Sequence, residues 1–227
     1  MFTFHLIAGI VASSIHVFSG PDHLAAVTPI VVETEKKAWK IGLSWGFGHI
    51  SGMLLIGILF LFFNNMIPLE EISSSSEQLV GVVLIAIGIW SFYLLIKDKR
   101  KYTHIHSEEK PFVHSHSVHH FEDSHTHSKT INQNIFTSFG IGIIHGLAGI
   151  AHLILLIPIV SFKTSEGINY VIGFAIGTLI AMTLYTFILG SLTNFTRQKN
   201  KTRLFRGIRL TSGIIAVLVG MYWLFFH

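Results

Sequence analysis

Long apolar runs alternate with short charged segments along this chain. Six runs, 2–32, 39–63, 79–96, 135–160, 170–192 and 208–226, reach or approach the length of a membrane crossing. A helix needs about 20 mainly apolar residues to span a bilayer. The pattern therefore predicts an all-α integral membrane protein with six transmembrane helices. The first run is too long for one straight helix and carries Gly20-Pro21 in its middle. Proline removes a backbone donor and clashes with the preceding turn, so a kink or break is expected there.

The apolar pattern repeats. Residues 15–31 and 144–160 both read I-H-x-x-x-G-x-x-H-L-x-x-x-x-P-I-V, placing His16 and His23 against His145 and His152. The correspondence continues from Ile41-Gly42 to Ile172-Gly173, and from Gly81 and Gly88 to Gly213 and Gly220. The offset drifts only from 129 through 131 to 132. The chain then divides into a three-helix repeat over 1–96, a polar loop over 97–134 and a second three-helix repeat over 135–227. Three spans per half is an odd number, so the second repeat enters the membrane inverted. Gly42-x-x-x-Gly46, Gly48-x-x-x-Gly52 and Gly173-x-x-x-Gly177 are read as close-packing faces between helices.

Charge supports this organisation. Of 16 Lys and Arg residues, 15 follow the first, third and fifth runs, and only Lys163 falls on the other side. The positive-inside rule places those loops in the cytoplasm and both termini outside, in a multi-pass protein of the cell membrane. Half the residues are hydrophobic and 12% are charged, against about 25% charged in soluble domains. The net charge of +4 is thus a topology signal and no mark of nucleic-acid binding. The start lacks the basic stretch that opens a signal peptide, so a cleaved one is not expected. No glycine loop for a nucleotide is present, so the chain by itself is not expected to be an ATP-driven pump. There is no cysteine, which excludes thiol redox chemistry and zinc–thiolate sites. The five methionines are scattered, against a thioether path for Cu(I).

Buried chemistry is concentrated in His16, Asp22, His23, His49, His145 and His152, all well inside apolar runs. Ionisable groups in a membrane are costly and mark ion pathways or ligand sites. A spacing of seven puts each histidine pair on one helix face, about 10 Å apart along an unbroken axis. With the inverted halves, this strings imidazoles across the bilayer: His23 and Asp22 toward the cytoplasm, His16, His49 and His145 near the midplane, and His152 toward the outside. Asp22 also suits the N-cap of a half-helix after the break. Imidazoles with one carboxylate suit Ni²⁺, Co²⁺ or Zn²⁺. Mg²⁺ and Ca²⁺ want more oxygen ligands than this core's single carboxylate provides.

The loop adds His104, His106, His114, His116, His119, His120, His125 and His127, interspersed with serine and threonine. Such a tract is expected to lack structure without metal and to capture ions loosely. A cytoplasmic trap fits export, by gathering ions, and import, by buffering them. His116-x-x-His119-His120 matches one histidine box of membrane desaturases, which use several.

These motifs carry a family resemblance. His16 with Gly20-Pro21-Asp22-His23-Leu24 resembles the signature of the nickel/cobalt transporter superfamily, especially its urease-accessory branch. Trp45-Gly46-Phe47-Gly48-His49 is similar to that family's second histidine motif. His145-Gly146-Leu147-Ala148-Gly149 resembles the opening of its second half, and the histidine loop resembles that of the nickel/cobalt efflux branch. The resemblance implies a transporter, not an enzyme, whose substrate is a divalent transition-metal ion, Ni²⁺ or Co²⁺ before Zn²⁺ or Fe²⁺. It implies ligands at His16, Asp22, His23 and His49 and no organic cofactor. Lipid and the metal are the expected partners, and a homo-oligomer is compatible. Nickel permeases show H-x4-D-H where this chain has H-x5-D-H. One added residue turns His16 by about 100° on a regular helix, unless the Gly-Pro break absorbs the rotation. The 3+3 layout with prolines in runs one and four also resembles the thiol-electron carriers of cytochrome biogenesis, whose cysteine pairs this chain lacks. A haem- or metal-binding membrane redox protein, and a metal-delivery partner acting through the loop, are the rival classes.

Overall fold

The computed structural model describes residues 2–34, 37–63, 69–98, 102–106, 112–116, 126–148, 164–199 and 201–226. The helices are α1 (Phe2–Ser19), α2 (Pro21–Glu33), α3 (Trp39–Phe63), α4 (Leu69–Asp98), α5 (Thr126–Leu147), α6 (Thr164–Gln198) and α7 (Thr202–Phe225). Helices α3, α4, α6 and α7 each contain a stretch long and apolar enough to cross a membrane, and the bent pair α1–α2 meets the same length and composition when taken together. Helix α5 covers the start of the fourth apolar run, and the rest of that run lies outside the described residues. The chain is a multi-pass membrane protein. Its outward faces carry large apolar side chains on every side, among them Ile7, Val11 and Ile15 of α1, Ile180, Leu184 and Phe187 of α6, and Ile215 and Leu218 of α7. A continuous apolar exterior of this kind is a lipid-facing surface.

The break after Ser19 is sharp. Helices α1 and α2 are bent by 70°. Gly20 is extended at φ −84°, ψ 102°, and Pro21 starts α2, where its missing N–H leaves no helical bond unmade. Asp22 does not cap α2. Gly20 occupies the N-cap position with no side-chain capping bond, and the Asp22 carboxylate turns toward histidines instead. Nine of the thirteen α2 residues are buried, so this short helix lies at the centre of the fold. Ala25, Ala26, Val27, Ile30 and Val31 form one apolar core with Val17, Ile41, Trp45, Leu84 and Met182.

The remaining helices close around α2 in pairs: α1 with α6, α3 with α5, α4 with α7, and α3 with α6. Small residues set these approaches. A Cβ at Gly42 would collide with the Met182 carbonyl, one at Gly173 with the Leu6 carbonyl, and one at Gly146 with the His49 carbonyl. Close backbone approach at small residues is how helices associate in lipid, where no hydrophobic force draws them together. Gly81 and Gly220 face one another reciprocally, a Cβ on either standing 2.7 Å from the other's carbonyl oxygen, and Gly88 likewise meets Gly213.

Two expectations change. Helix α5 begins at Thr126, inside the stretch read as loop. The loop, expected to lack structure, contains an antiparallel hairpin of β1 (Tyr102–His106) and β2 (Phe112–His116) that pairs Tyr102 with His116 and His104 with His114. His119, His120 and His125 lie outside the described residues, as does His152, and His127 falls in the first turn of α5.

Candidate metal centre

Four helices, two of them joined at the break, deliver the site. His16 comes from the last turn of α1, Asp22 and His23 from the first turn of α2, His49 from the middle of α3, and His145 from the end of α5. His23, His49, His145 and Asp22 are all buried. One ligand nitrogen from each of His16, His23 and His49 lies within 4.8 Å of the others. The ring centroids of His16 and His23 are 4.6 Å apart, those of His23 and His49 5.2 Å, and those of His16 and His49 6.0 Å. The imidazoles of His16, His23, His49 and His145 are therefore gathered rather than spread along the helix axes, and His152 lies outside the described residues. The 70° bend folds α2 back, and four histidines and Asp22 converge on one place.

The bend also answers the extra residue between His16 and Asp22. On one regular helix that insertion would turn His16 away by about 100°, but α1 ends before Gly20 and a new axis begins at Pro21. The Gly20 N–H still donates to the His16 carbonyl at 3.0 Å, so His16 is held at the final turn of its helix. Gly20 is needed for a second reason. A Cβ there would collide with His23 Nδ1 and stand 2.8 Å from Asp22 Oδ1.

Asp22 joins the histidines. Its Oδ1 lies 3.0 Å from His23 Nδ1, and its Oδ2 lies 3.2 Å from His145 Nε2. A carboxylate against a ligand imidazole fixes the ring and raises its basicity. Trp45, one helical turn before His49 on α3, stacks on the His49 ring at 4.8 Å and 12° and stands 5.4 Å from His23 and 5.6 Å from His145. Its indole walls off one side of the cluster. Gly142 and Gly146 of α5 meet the carbonyls of Trp45 and His49, which brings His145 alongside.

Sequence reasoning missed three things. Trp45 appeared only inside a motif, with no role of its own. His5 is also buried, near the start of α1. Arg209, counted as a loop charge, is buried and bonds bidentately to Glu33, Nε to Oε1 at 2.5 Å and NH2 to Oε2 at 2.6 Å. Glu33 is thus a second carboxylate inside the fold, occupied by an arginine. The signal was an acid at the end of an apolar run facing a span that begins with arginine.

The comparisons with known proteins agree with the motifs. Residues 6–224 match the model of the cytochrome C biogenesis protein transmembrane region. The chain is 32% identical to the urease accessory protein UreH of Bacillus sp. (strain TB-90), over 90% of this chain and 84% of that protein. It is 31% identical to the chloroplast protein FOR GROWTH AND FERTILITY 2 of Arabidopsis thaliana over 94% of its own length, but spans only about half, 54%, of that relative. It is 25% identical, over 82% of this chain and 75% of the relative, to a protein of Methanocaldococcus jannaschii provisionally named a nickel/cobalt efflux system. No solved structure matches. The chain belongs to the cytochrome c biogenesis transmembrane-region family, on the urease-accessory branch of nickel/cobalt transporters that its histidine motifs resemble.

Proposed function

We propose that this protein is a carrier that moves a divalent transition-metal ion, Ni²⁺ or Co²⁺ by preference, across the membrane through the His16–Asp22–His23–His49–His145 cluster. The observation that carries this reading is the convergence of three imidazole nitrogens within 4.8 Å inside an apolar protein. A four-coordinate ion with bonds of about 2 Å holds its ligand nitrogens about 3.3 Å apart, so small rotamer changes would close the triad on an ion. Asp22 would offset part of the ion's charge, and His145 would complete or orient the set. Imidazole-rich sites with a single carboxylate favour Ni²⁺, Co²⁺ and Zn²⁺ over oxygen-loving Mg²⁺ and Ca²⁺. The names of two relatives, one a urease accessory protein and one a nickel/cobalt efflux system, point the same way. The family's thiol-electron function is out of reach of a chain without cysteine.

Transport would proceed by alternating access between two inverted three-helix repeats. Helix pairing supports such a repeat. If spans one, two and three exchange with four, five and six, the α1–α6 contact exchanges with α5–α3, while α3–α6 and α4–α7 map onto themselves. The glycine crossing obeys the same exchange, since Gly81 with Gly220 becomes Gly213 with Gly88. In this reading both termini are outside, the histidine loop is cytoplasmic and captures ions, and His152 serves an outer step.

Purified protein should bind about one Ni²⁺ or Co²⁺ tightly once residues 103–127 are deleted, and proteoliposomes should take up the ion. Combined His23→Ala and His49→Ala should abolish both. Wild-type binding and flux in that double variant would sink the proposal.

A further inference from the structure

Helix α2 carries two ligands at its first turn and is tied down at its other end by the second half of the chain. Four separate side chains make those ties. The Tyr185 hydroxyl of α6 lies 2.6 Å from Thr28 Oγ1, and Thr28 itself donates to the Leu24 carbonyl at 2.5 Å. Arg197, near the end of α6, donates to the Val32 carbonyl at 2.7 Å. Arg209 of α7 holds Glu33 through both guanidinium edges. Asn134 of α5 donates to Thr34 Oγ1 at 3.1 Å. Phe205 lies between the two arginines, 4.5 Å from the Arg197 guanidinium and 4.9 Å from that of Arg209.

The placement of these ties matters. They reach α2 from α5, α6 and α7, and all lie from Thr28 to Thr34, toward the end of the helix away from its ligands. The Arg209 side chain is only 5% exposed and that of Glu33 14%. Burying such a pair costs several kcal/mol of desolvation per ion, so it is a poor device for stability alone. Its best-attested use is to specify one of two arrangements. Arg197 also satisfies one of the last carbonyls of α2, that of Val32, where a cation complements the helix dipole. Ala25, Ala26, Val27, Ile30 and Val31 pack α2 into the core beyond the cluster.

We infer that α2 is a bar closing the cytoplasmic side of the metal site, and that Glu33 with Arg209, assisted by Arg197 on Val32, is the latch that holds it shut. The inference rests on the carrier reading for its direction and purpose. The latch itself is a property of the fold and is testable without metal. Opening moves α2 away from α6 and α7, parts the Glu33–Arg209 pair, and carries Asp22 and His23 off His16 and His49, so that release of the ion and loss of the latch are one motion. Arg209 and Glu33 are positioning residues, since neither reaches the cluster.

The absence of cysteine makes the test clean. Ala26→Cys places a single thiol on the buried face of α2. In membrane vesicles with the cytoplasmic face outward, a membrane-impermeant maleimide should label it slowly. Adding Arg209→Gln should speed labelling about tenfold or more. The charge exchange Glu33→Arg with Arg209→Glu should restore protection, which a merely misfolded variant would not do. A second variant, Glu33→Cys with Arg209→Cys, joined by a reducible bis-methanethiosulfonate cross-linker long enough to replace the two side chains, should bind Ni²⁺ but carry no flux, with reductant restoring transport. Unchanged labelling in Arg209→Gln, or full flux through the cross-linked protein, would overturn the latch. If labelling responds but wild-type protein binds and moves no Ni²⁺ or Co²⁺, the carrier reading fails and the latch stands. If ions bind and move while labelling is indifferent to Arg209, the reverse holds.

Discussion

Asp22 and His145 meet across the two halves of the sequence, Oδ2 of the carboxylate 3.2 Å from Nε2 of the ring. The same carboxylate touches His23 through its other oxygen. One acid therefore links a residue of α2 to a residue of α5, and both contacts are buried. Replacing Asp22 by asparagine keeps the volume and removes the charge. A carboxylate partner of a ligand histidine is typically worth about 10–100-fold in metal affinity. Asp22→Asn should weaken Ni²⁺ binding by that factor, read by calorimetry on protein lacking residues 103–127. An unchanged Kd would mean that Asp22 organises the apo protein only.

Gly20→Ala should be far more damaging than a surface glycine substitution. Where the backbone tolerates it, Gly→Ala usually stabilises by about 0.4–1 kcal/mol through the unfolded chain. The Gly20 dihedrals are open to alanine, so backbone strain is not the obstacle. The obstacle is the His23 ring, which a Cβ would strike. Metal binding should fall sharply while the protein still inserts and remains monodisperse in detergent. Retention of wild-type affinity would show that the ring relocates without cost to the site.

Trp45 should report occupancy. Its indole stacks on His49 at 4.8 Å with the planes 12° apart, while Trp39 and Trp90 are both more than a third exposed. A paramagnetic Co²⁺ or Ni²⁺ held by His49 sits within contact range of that indole and should quench its emission. Trp45→Phe should remove most of the quenching and leave binding measurable by calorimetry. Equal quenching in wild type and variant would place the ion elsewhere.

The spans were legible because hydropathy in a membrane is written directly into the residues: α3, α4, α6 and α7 lie where apolar runs predict them. The break was legible from Gly20-Pro21. Its consequence was not. Local chemistry says that a helix ends, but packing against α3, α4, α6 and α7 decides the 70° direction. An unbroken axis would put His23 about 10 Å along from His16; across the break the ring centroids lie 4.6 Å apart. Arg209 misled for a related reason. The positive-inside rule counts basic residues near span ends and says nothing about which of them turn inward. Only the proximity of Glu33, distant in sequence, makes Arg209 a buried group.

The two glycines of α5 that face α3 differ in kind from a third glycine on the same helix. A Cβ at Gly142 would hit the Trp45 carbonyl and one at Gly146 the His49 carbonyl, whereas nothing lies within 4 Å of a Cβ at Gly140. Gly146→Ala must push α5 off α3, and overpacking of this kind costs about 1–3 kcal/mol. Gly140→Ala should instead be neutral or slightly stabilising, by up to about 1 kcal/mol. Thermal melting in detergent compares the two directly. The comparison reaches function as well, because Gly146 adjoins His145 and faces His49. Displacing α5 separates His145 from Asp22, so Gly146→Ala should lower metal affinity in step with stability while Gly140→Ala changes neither. If both variants melt and bind alike, the α3–α5 crossing does not set the geometry of the cluster.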